Sequence, residues 1–149
     1  MSIAPLYTDE YFMREALKEA QKAFDANEVP VGAVVVANNK IIARAHNLTE
    51  LLNDVTAHAE MQAITAAANS LGGKYLTDCS IYVTLEPCTM CAGALGWSQI
   101  TKLVYGASDT KKGFGLLSQN VLHPKTEVLG GLLEAECSDL LKLFFQKRR

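Results

Sequence analysis

Segments with strand chemistry alternate with segments of helical periodicity along the chain, and this alternation constrains the fold more than any other feature. A first helix is predicted from about Asp9 to Ala26. Thr8 is placed to cap it, Asp9 and Glu10 suit the positive end of its dipole, and Phe12, Ala16, Ala20, Ala23 and Phe24 recur near helical spacing as one apolar face. VGAVVVA, residues 31–37, reads as a buried strand. Asn38-Asn39 supplies two residues that tolerate positive φ, so IIARA (41–45) is expected to return beside it as a second strand. After the polar loop HNLTELLNDVT, a second helix covers roughly Ala57 to Ser70 and ends before Gly72-Gly73. SIYVTL (80–85) is a β-branched strand that stops at Glu86-Pro87, and proline suits the first turn of a short helix there. TKLVYG (101–106) is a further strand, residues 107–124 read mostly as loop, and TEVLG (126–130) reads as a short fifth strand. A last helix runs from about Leu133 to Lys147 with Leu133, Cys137, Leu140, Leu141 and Phe144 inward. The order α-β-β-α-β-α-β-β-α favours an α/β sheet covered on both faces, and the opening hairpin makes that sheet mixed.

The 149 residues suit one domain, expected to span 1–149. A formal net charge of −2 excludes a broadly basic nucleic-acid binder. Charge is nevertheless uneven: KLFFQKRR carries Lys142, Lys147, Arg148 and Arg149, and DTKKGFG carries Lys111 and Lys112. Taken on charge alone, both runs read as solvated surface. No apolar run approaches the roughly 18 residues of a membrane span. MSIAPLYTDEYF shows no basic flank followed by an apolar stretch, so no signal peptide is expected. The expectation is a soluble, cytoplasmic protein with no membrane partner, in which Cys79, Cys88, Cys91 and Cys137 are reduced.

Reduced cysteines weaken a disulfide reading of Cys88 and Cys91, which stand three positions apart directly behind Pro87. On the first turn of a helix they would share a face, where the dipole and free N–H groups favour thiolates, the form that binds zinc. His58 opens the preceding helix, and a catalytic zinc site needs three protein ligands and one open position. His58-Ala59-Glu60 followed by Pro87-Cys88-x-x-Cys91 matches the H-x-E…P-C-x-x-C signature of zinc deaminases. Spacing leaves other readings standing. His58 can be a helix-cap histidine and the cysteines small core residues; the pair can be a redox dithiol; or the zinc can be structural, with a fourth ligand from Cys79, Cys137, His46 or His123. Residues i and i+2 do not face each other on a regular helix, so His58 and Glu60 share a site only if the helix start projects both into one pocket.

NEVPVGAVVV, Asn47, TAHAEMQAI, YVTLEPCTMCAGAL, YGASD and the ending FFQKRR make nearly the whole chain resemble the bacterial tRNA-specific adenosine deaminase family. The resemblance implies a three-layer α/β/α cytidine-deaminase-like fold with a mixed sheet of about five strands. It also implies a homodimer and hydrolysis of the wobble adenosine in a tRNA anticodon stem-loop to inosine and ammonia. By the same resemblance, His58, Cys88 and Cys91 hold one zinc per chain, Glu60 shuttles protons, and Asn47 hydrogen-bonds the flipped base. Val29 and Pro30 help to shape its pocket. Asp109 and the basic C-terminal helix lie near the anticodon loop, with Lys147, Arg148 and Arg149 on phosphates. Phe144 suits core better than RNA contact, and Phe145 suits either. The chain departs from the family at Leu48-Thr49-Glu50, where a more basic, proline-containing segment is expected, at Ser108, where arginine is common, and over 118–126, which is shortened. These departures bear on RNA contacts rather than on zinc chemistry. Two other readings remain: a free-base or nucleoside deaminase acting on cytosine or guanine, and a non-catalytic zinc-stabilised RNA-binding module.

Overall fold

The structure is a computed structural model that describes residues 6–148. Helix α1 spans Asp9–Asp25, strands β1 and β2 span Gly32–Ala37 and Lys40–His46, and helix α2 spans Ala59–Leu71. Strand β3 (Cys79–Leu85) leads into α3 (Thr89–Ser98), then β4 (Lys102–Ala107), a 3-10 turn at Phe114–Leu116, β5 (Glu127–Leu129) and α4 (Glu134–Lys147). Local chemistry explains the ends. The Thr8 hydroxyl accepts from the Tyr11 amide at 3.2 Å. Asn38 and Asn39 take positive φ of 52° and 58° in the hairpin turn, and Gly72 closes α2 in the left-handed region.

The sheet order is β2-β1-β3-β4-β5. β1 pairs antiparallel with both β2 and β3, whereas β3–β4 and β4–β5 are parallel. Only β1 therefore runs against the other four strands. The carboxyl ends of β2, β3 and β4 and the amino end of β1 all emerge at one edge of the sheet.

Strand alternation builds two cores. Ala33 and Val35 of β1, Ile81 and Val83 of β3 and Leu103 of β4 pack with Ala59, Ala63 and Ala67 of α2 and with Ala92 and Leu95 of α3. Val34, Val36, Tyr82 and Val104 point the other way, onto Phe12, Met13 and Ala16 of α1 and Cys137 of α4. Helices on both faces of a mixed five-stranded sheet are the expected three-layer α/β/α arrangement. Asp9 ties the layers together: it accepts from the Tyr82 hydroxyl at 2.5 Å and from the Lys102 ammonium at 3.0 Å. Burial works against its ionisation, but these two hydrogen bonds outweigh burial and hold the carboxyl below its ordinary range.

Three expectations shift. α2 starts at Ala59, with His58 as N-cap, because residues 47–58 form turns that deliver the histidine in an extended backbone conformation. α3 starts at Thr89, so Cys88 is the N-cap and not a first-turn residue. Leu133 takes φ of 54° before α4 and stays half-buried, as does Leu140, while Cys137 and Phe144 carry the buried face of that helix. Among the described residues no helix is long and apolar enough to cross a membrane.

The contact between α1 and β1 has no slack. A Cβ on Gly32 would fall on the carbonyl oxygen of Ala16 and the amide of Ala20. Helix backbone cannot yield as a side-chain tip does, so Gly32→Ala is expected to cost about 1–3 kcal/mol. Urea unfolding measures this, and an unchanged midpoint would contradict the packing described.

Candidate active site and metal centre

Segments leaving the shared sheet edge enclose a cavity of about 260 Å³. Val29 and Val31 come from the approach to β1, Asn47 and Thr49 follow β2, Leu85 ends β3 and Glu86 follows it. His58, Glu60 and Cys88 come from the two helix starts, and Asp109 and Lys112 from the loop after β4. Ligands in open α/β sheets gather outside the carboxyl ends of strands for this topological reason.

The two helix starts meet side by side. His58 Nδ1 lies 3.7 Å from Cys88 Sγ and 3.5 Å from Cys91 Sγ, and the three donor atoms all fall within 4.8 Å of one another. Among the described residues this group has three members. Cys79 and Cys137 sit in the two separate cores. His46 Nδ1 lies against the Asn47 carbonyl, and His123 Nδ1 accepts from the Lys125 amide. The candidates for a fourth structural ligand are thus committed elsewhere, and two of the three donors, His58 and Cys88, line the cavity.

The electrostatics suit a soft divalent cation. Hydrogen bonds from Cys91 and from His58 push the Cys88 thiol down to about 4, so it is a thiolate at neutral pH. Cys91, hydrogen-bonded to that anion, is pushed up instead. His58 is raised by its hydrogen bond to Cys88. One negative charge is shared by the thiols, and a zinc ion held there would require the remaining thiol proton to leave. The donor set and its spacing fit one zinc per chain.

His58 holds the N-cap position of α2 yet makes no side-chain cap hydrogen bond. Asn47 substitutes for it: Asn47 Oδ1 accepts from the Ala59 amide at 2.8 Å. This frees the imidazole for the thiols, fixes the Asn47 amide plane and leaves Nδ2–H as its remaining donor. Glu60, one residue into the helix, is buried at the same cavity. The extended backbone at His58 allows both side chains to reach one pocket. Burial pushes the Glu60 carboxyl up to about 7.

Two buried carboxylates carry no signal that sequence reading could use. Glu28 accepts from the amides of Glu50 and Leu51 at 3.0 and 2.9 Å, and pins the loop that follows Asn47. Glu86 accepts from the amides of Asp109 and Gly115 at 2.9 and 2.8 Å. Their one visible trace is an acidic residue beside an apolar strand, at NEVPVGA and TLEPC.

The other expected site residues are placed unevenly. Val29 lines the cavity; Pro30 is buried and lies outside the lining. Asp109 lines it too, and its Oδ1 accepts from the Lys111 and Lys112 amides at 3.0 Å each. A second cavity of about 460 Å³ shares Val29, Leu85, Asp109 and Lys112 and extends to Phe145, which is 50% exposed, while Phe144 is buried. Lys147 Nζ stands 5.2 Å from the centre of the Phe24 ring. Arg148 stacks on Phe144 at 4.5 Å and donates to the Asn27 carbonyl at 2.6 Å. Neither lines the first cavity. Arg149 lies outside the described residues.

Residues 6–107 match the cytidine and deoxycytidylate deaminase zinc-binding region. The tRNA-specific adenosine deaminase of Bacillus subtilis (strain 168) is 48% identical over 146 residues, covering 95% of this chain and 91% of that one. The Aquifex aeolicus protein of the same name is 48% identical over 145 residues, covering 94% and 95%. Among solved structures, a chain from work on A-to-I editing by tRNA:A34 deaminases at the wobble position of transfer RNA is 45% identical. Its TM-score is 0.82, covering 87% of this chain and 98% of that one. The guanine deaminase of Nitrosomonas europaea is 26% identical with a TM-score of 0.83, covering 93% and 85%.

Fold and metal group together define a zinc-dependent hydrolytic deaminase. Within that class, identity over nearly the full length assigns the branch: the chain belongs to the tRNA-specific adenosine deaminase family.

Metal analysis of purified protein should return one zinc per chain, and Cys88→Ala and Cys91→Ala should each lose it, with loss of stability because metal binding is coupled to folding. Full zinc retention in both variants would end the assignment.

Proposed function

We propose that the protein hydrolyses the wobble adenosine of a tRNA anticodon to inosine and releases ammonia. The observation that carries this reading is the cavity joining the His58–Cys88–Cys91 group to the buried Glu60. At about 260 Å³ it falls below the roughly 300–1,000 Å³ of pockets for drug-sized ligands, and so suits one flipped base. A base in an anticodon loop is already partly unstacked, which keeps the cost of flipping to a few kcal/mol or less.

His58, Cys88 and Cys91 would hold the zinc, which would supply Lewis acidity to activate a water at neutral pH. Glu60 takes the proton from the attacking water at a carboxylate oxygen. It gives that proton to the ring nitrogen beside the reacting carbon, then takes the second proton from the hydroxyl now on that carbon and passes it to the exocyclic amine, so that the C–N bond breaks, ammonia leaves and the C=O of inosine forms. A carboxyl raised to about 7 can both accept and donate near neutral pH. Asn47 donates from Nδ2 to the base, and Val29 forms an apolar wall, with Pro30 fixing its backbone. Asp109 shapes the rim. A neighbouring base splays into the second cavity and stacks on Phe145, since RNA readers take single-stranded bases on aromatic faces. Lys147, Arg148 and Arg149 hold phosphates; the ring and carbonyl contacts of Arg148 orient a guanidinium that keeps further donors free.

The whole chain acts as one deaminase domain, in the cytoplasm where tRNA is found, with no membrane partner. It acts as a homodimer. Leu51, Leu52 and Val55 on the loop after Asn47, and Trp97 on α3, leave apolar surface exposed, with Val55 and Trp97 each 85% accessible. Such patches mark interaction sites. Sedimentation at micromolar concentration should give twice the 16.2 kDa chain mass; a monomer throughout that range would contradict this.

The deciding assay offers an anticodon stem-loop, free adenosine, free cytosine and free guanine to the zinc-loaded enzyme. Inosine should form in the stem-loop, and Glu60→Ala should keep zinc while turnover falls at least about a hundredfold. Rapid turnover of a free base with none in the stem-loop would instead favour a free-base deaminase. Near-normal activity in Glu60→Ala would remove the proton-shuttle role and leave room for a non-catalytic zinc module.

A further inference from the structure

We propose that Glu86 is a positioning residue, whose carboxylate holds the backbone of residues 109–115 against the start of α3 and thereby sets one wall of the substrate cavity. The proposal rests on the substrate reading above for its kinetic consequence, and on geometry alone for the placement of the loop.

Glu86 directly follows β3 and is buried. Its two oxygens reach opposite ends of one loop: Oε1 accepts from the Asp109 amide and Oε2 from the Gly115 amide. Between these points the loop is closed on itself and on the zinc helix. Asp109 takes the Lys111 and Lys112 amides on its side chain and the Gly113 amide on its carbonyl. The Phe114 amide donates to the Pro87 carbonyl at 2.9 Å, and Gly113 forms an antiparallel bridge with Cys88.

The two glycines show how closely the carboxylate fills the loop. A Cβ on Gly113 would fall on the Glu86 carboxyl carbon, and one on Gly115 would come within 2.8 Å of Oε2. The KKGFG stretch is therefore shaped around a side chain more than twenty residues earlier in the chain. Asp109 and Lys112 from this loop line the cavity. Displacing the loop moves the wall that meets the substrate; its tie to the metal group is the backbone bridge at Cys88, while His58 lies on a separate element, at the start of α2. The effect should fall on recognition more than on metal binding.

Glu86→Gln preserves shape but turns an N–H of its amide towards one of the two backbone N–H groups. It should retain one zinc per chain, raise amide exchange across 109–115 about tenfold, and raise KM for the stem-loop about tenfold with a smaller change in kcat. Gly115→Ala approaches the same contact from the other side and should reproduce both effects. Combined with Glu86→Ala it should add less than the product of the single effects, because the two groups share one contact. Should Glu86→Gln fail to fold, Gly115→Ala carries the test alone. Unchanged exchange across 109–115 would overturn the proposal, and so would raised exchange with unchanged KM, which is the result expected of a purely structural role. If the wild type leaves the stem-loop untouched, the substrate reading falls. KM is then read on whichever member of the panel the enzyme turns over, and the exchange arm stands unaltered.

Discussion

The meeting of two helix N-termini at one sheet edge is the constraint on which the rest of the site depends. It follows from the strand order: with β1 alone reversed, the chain leaves β2, β3 and β4 at the same edge. α2 and α3 start there, and their N-cap residues, His58 and Cys88, are both extended rather than helical. Free amides and dipole ends favour an anion between them. The Cys88 thiol, held well below its ordinary range by Cys91 and His58, meets that preference.

Bringing reactive side chains to cap positions has a cost, since neither His58 nor Cys88 makes a side-chain cap hydrogen bond. For α2 the side-chain oxygen of Asn47, Oδ1, makes up the loss, which links the residue proposed to touch the base to the helix that presents the metal ligand. The small faces of Ala59, Ala63 and Ala67 let α2 lie close on the sheet, opposite Ala43 and Ala45 of β2. Close packing leaves little freedom to relax.

Much of this was legible in the residues. Thr8, Asn38-Asn39 and Gly72 marked an N-cap, a hairpin turn and a helix end through local backbone preferences that the structure keeps. The β-branched runs located β1 and β3, and the deaminase signature located the donors that converge. What stayed illegible depends on distance along the chain. Glu28 and Glu86 act on amides 22 to 29 residues away, and nothing local distinguishes them from surface acids. Met13 escaped the predicted face of α1, although it is fully buried, because it lies one residue beyond the stripe that Phe12 began. The basic run at the C-terminus read as a uniform patch, whereas Arg148 spends part of its guanidinium on Phe144 and Asn27.

Glu28 grips the loop after Asn47 through main-chain amides at Glu50 and Leu51. Every amino acid except proline offers that donor, so the side chains at these positions are free to drift while the loop keeps its path. Inheritance of the reaction and inheritance of the substrate are thereby uncoupled. A lineage can rewrite the outward face of this loop without disturbing the metal donors beneath it. The same separation would let one ancestral scaffold diverge into enzymes for free purines and for RNA by point substitutions, with no intermediate that has lost its chemistry.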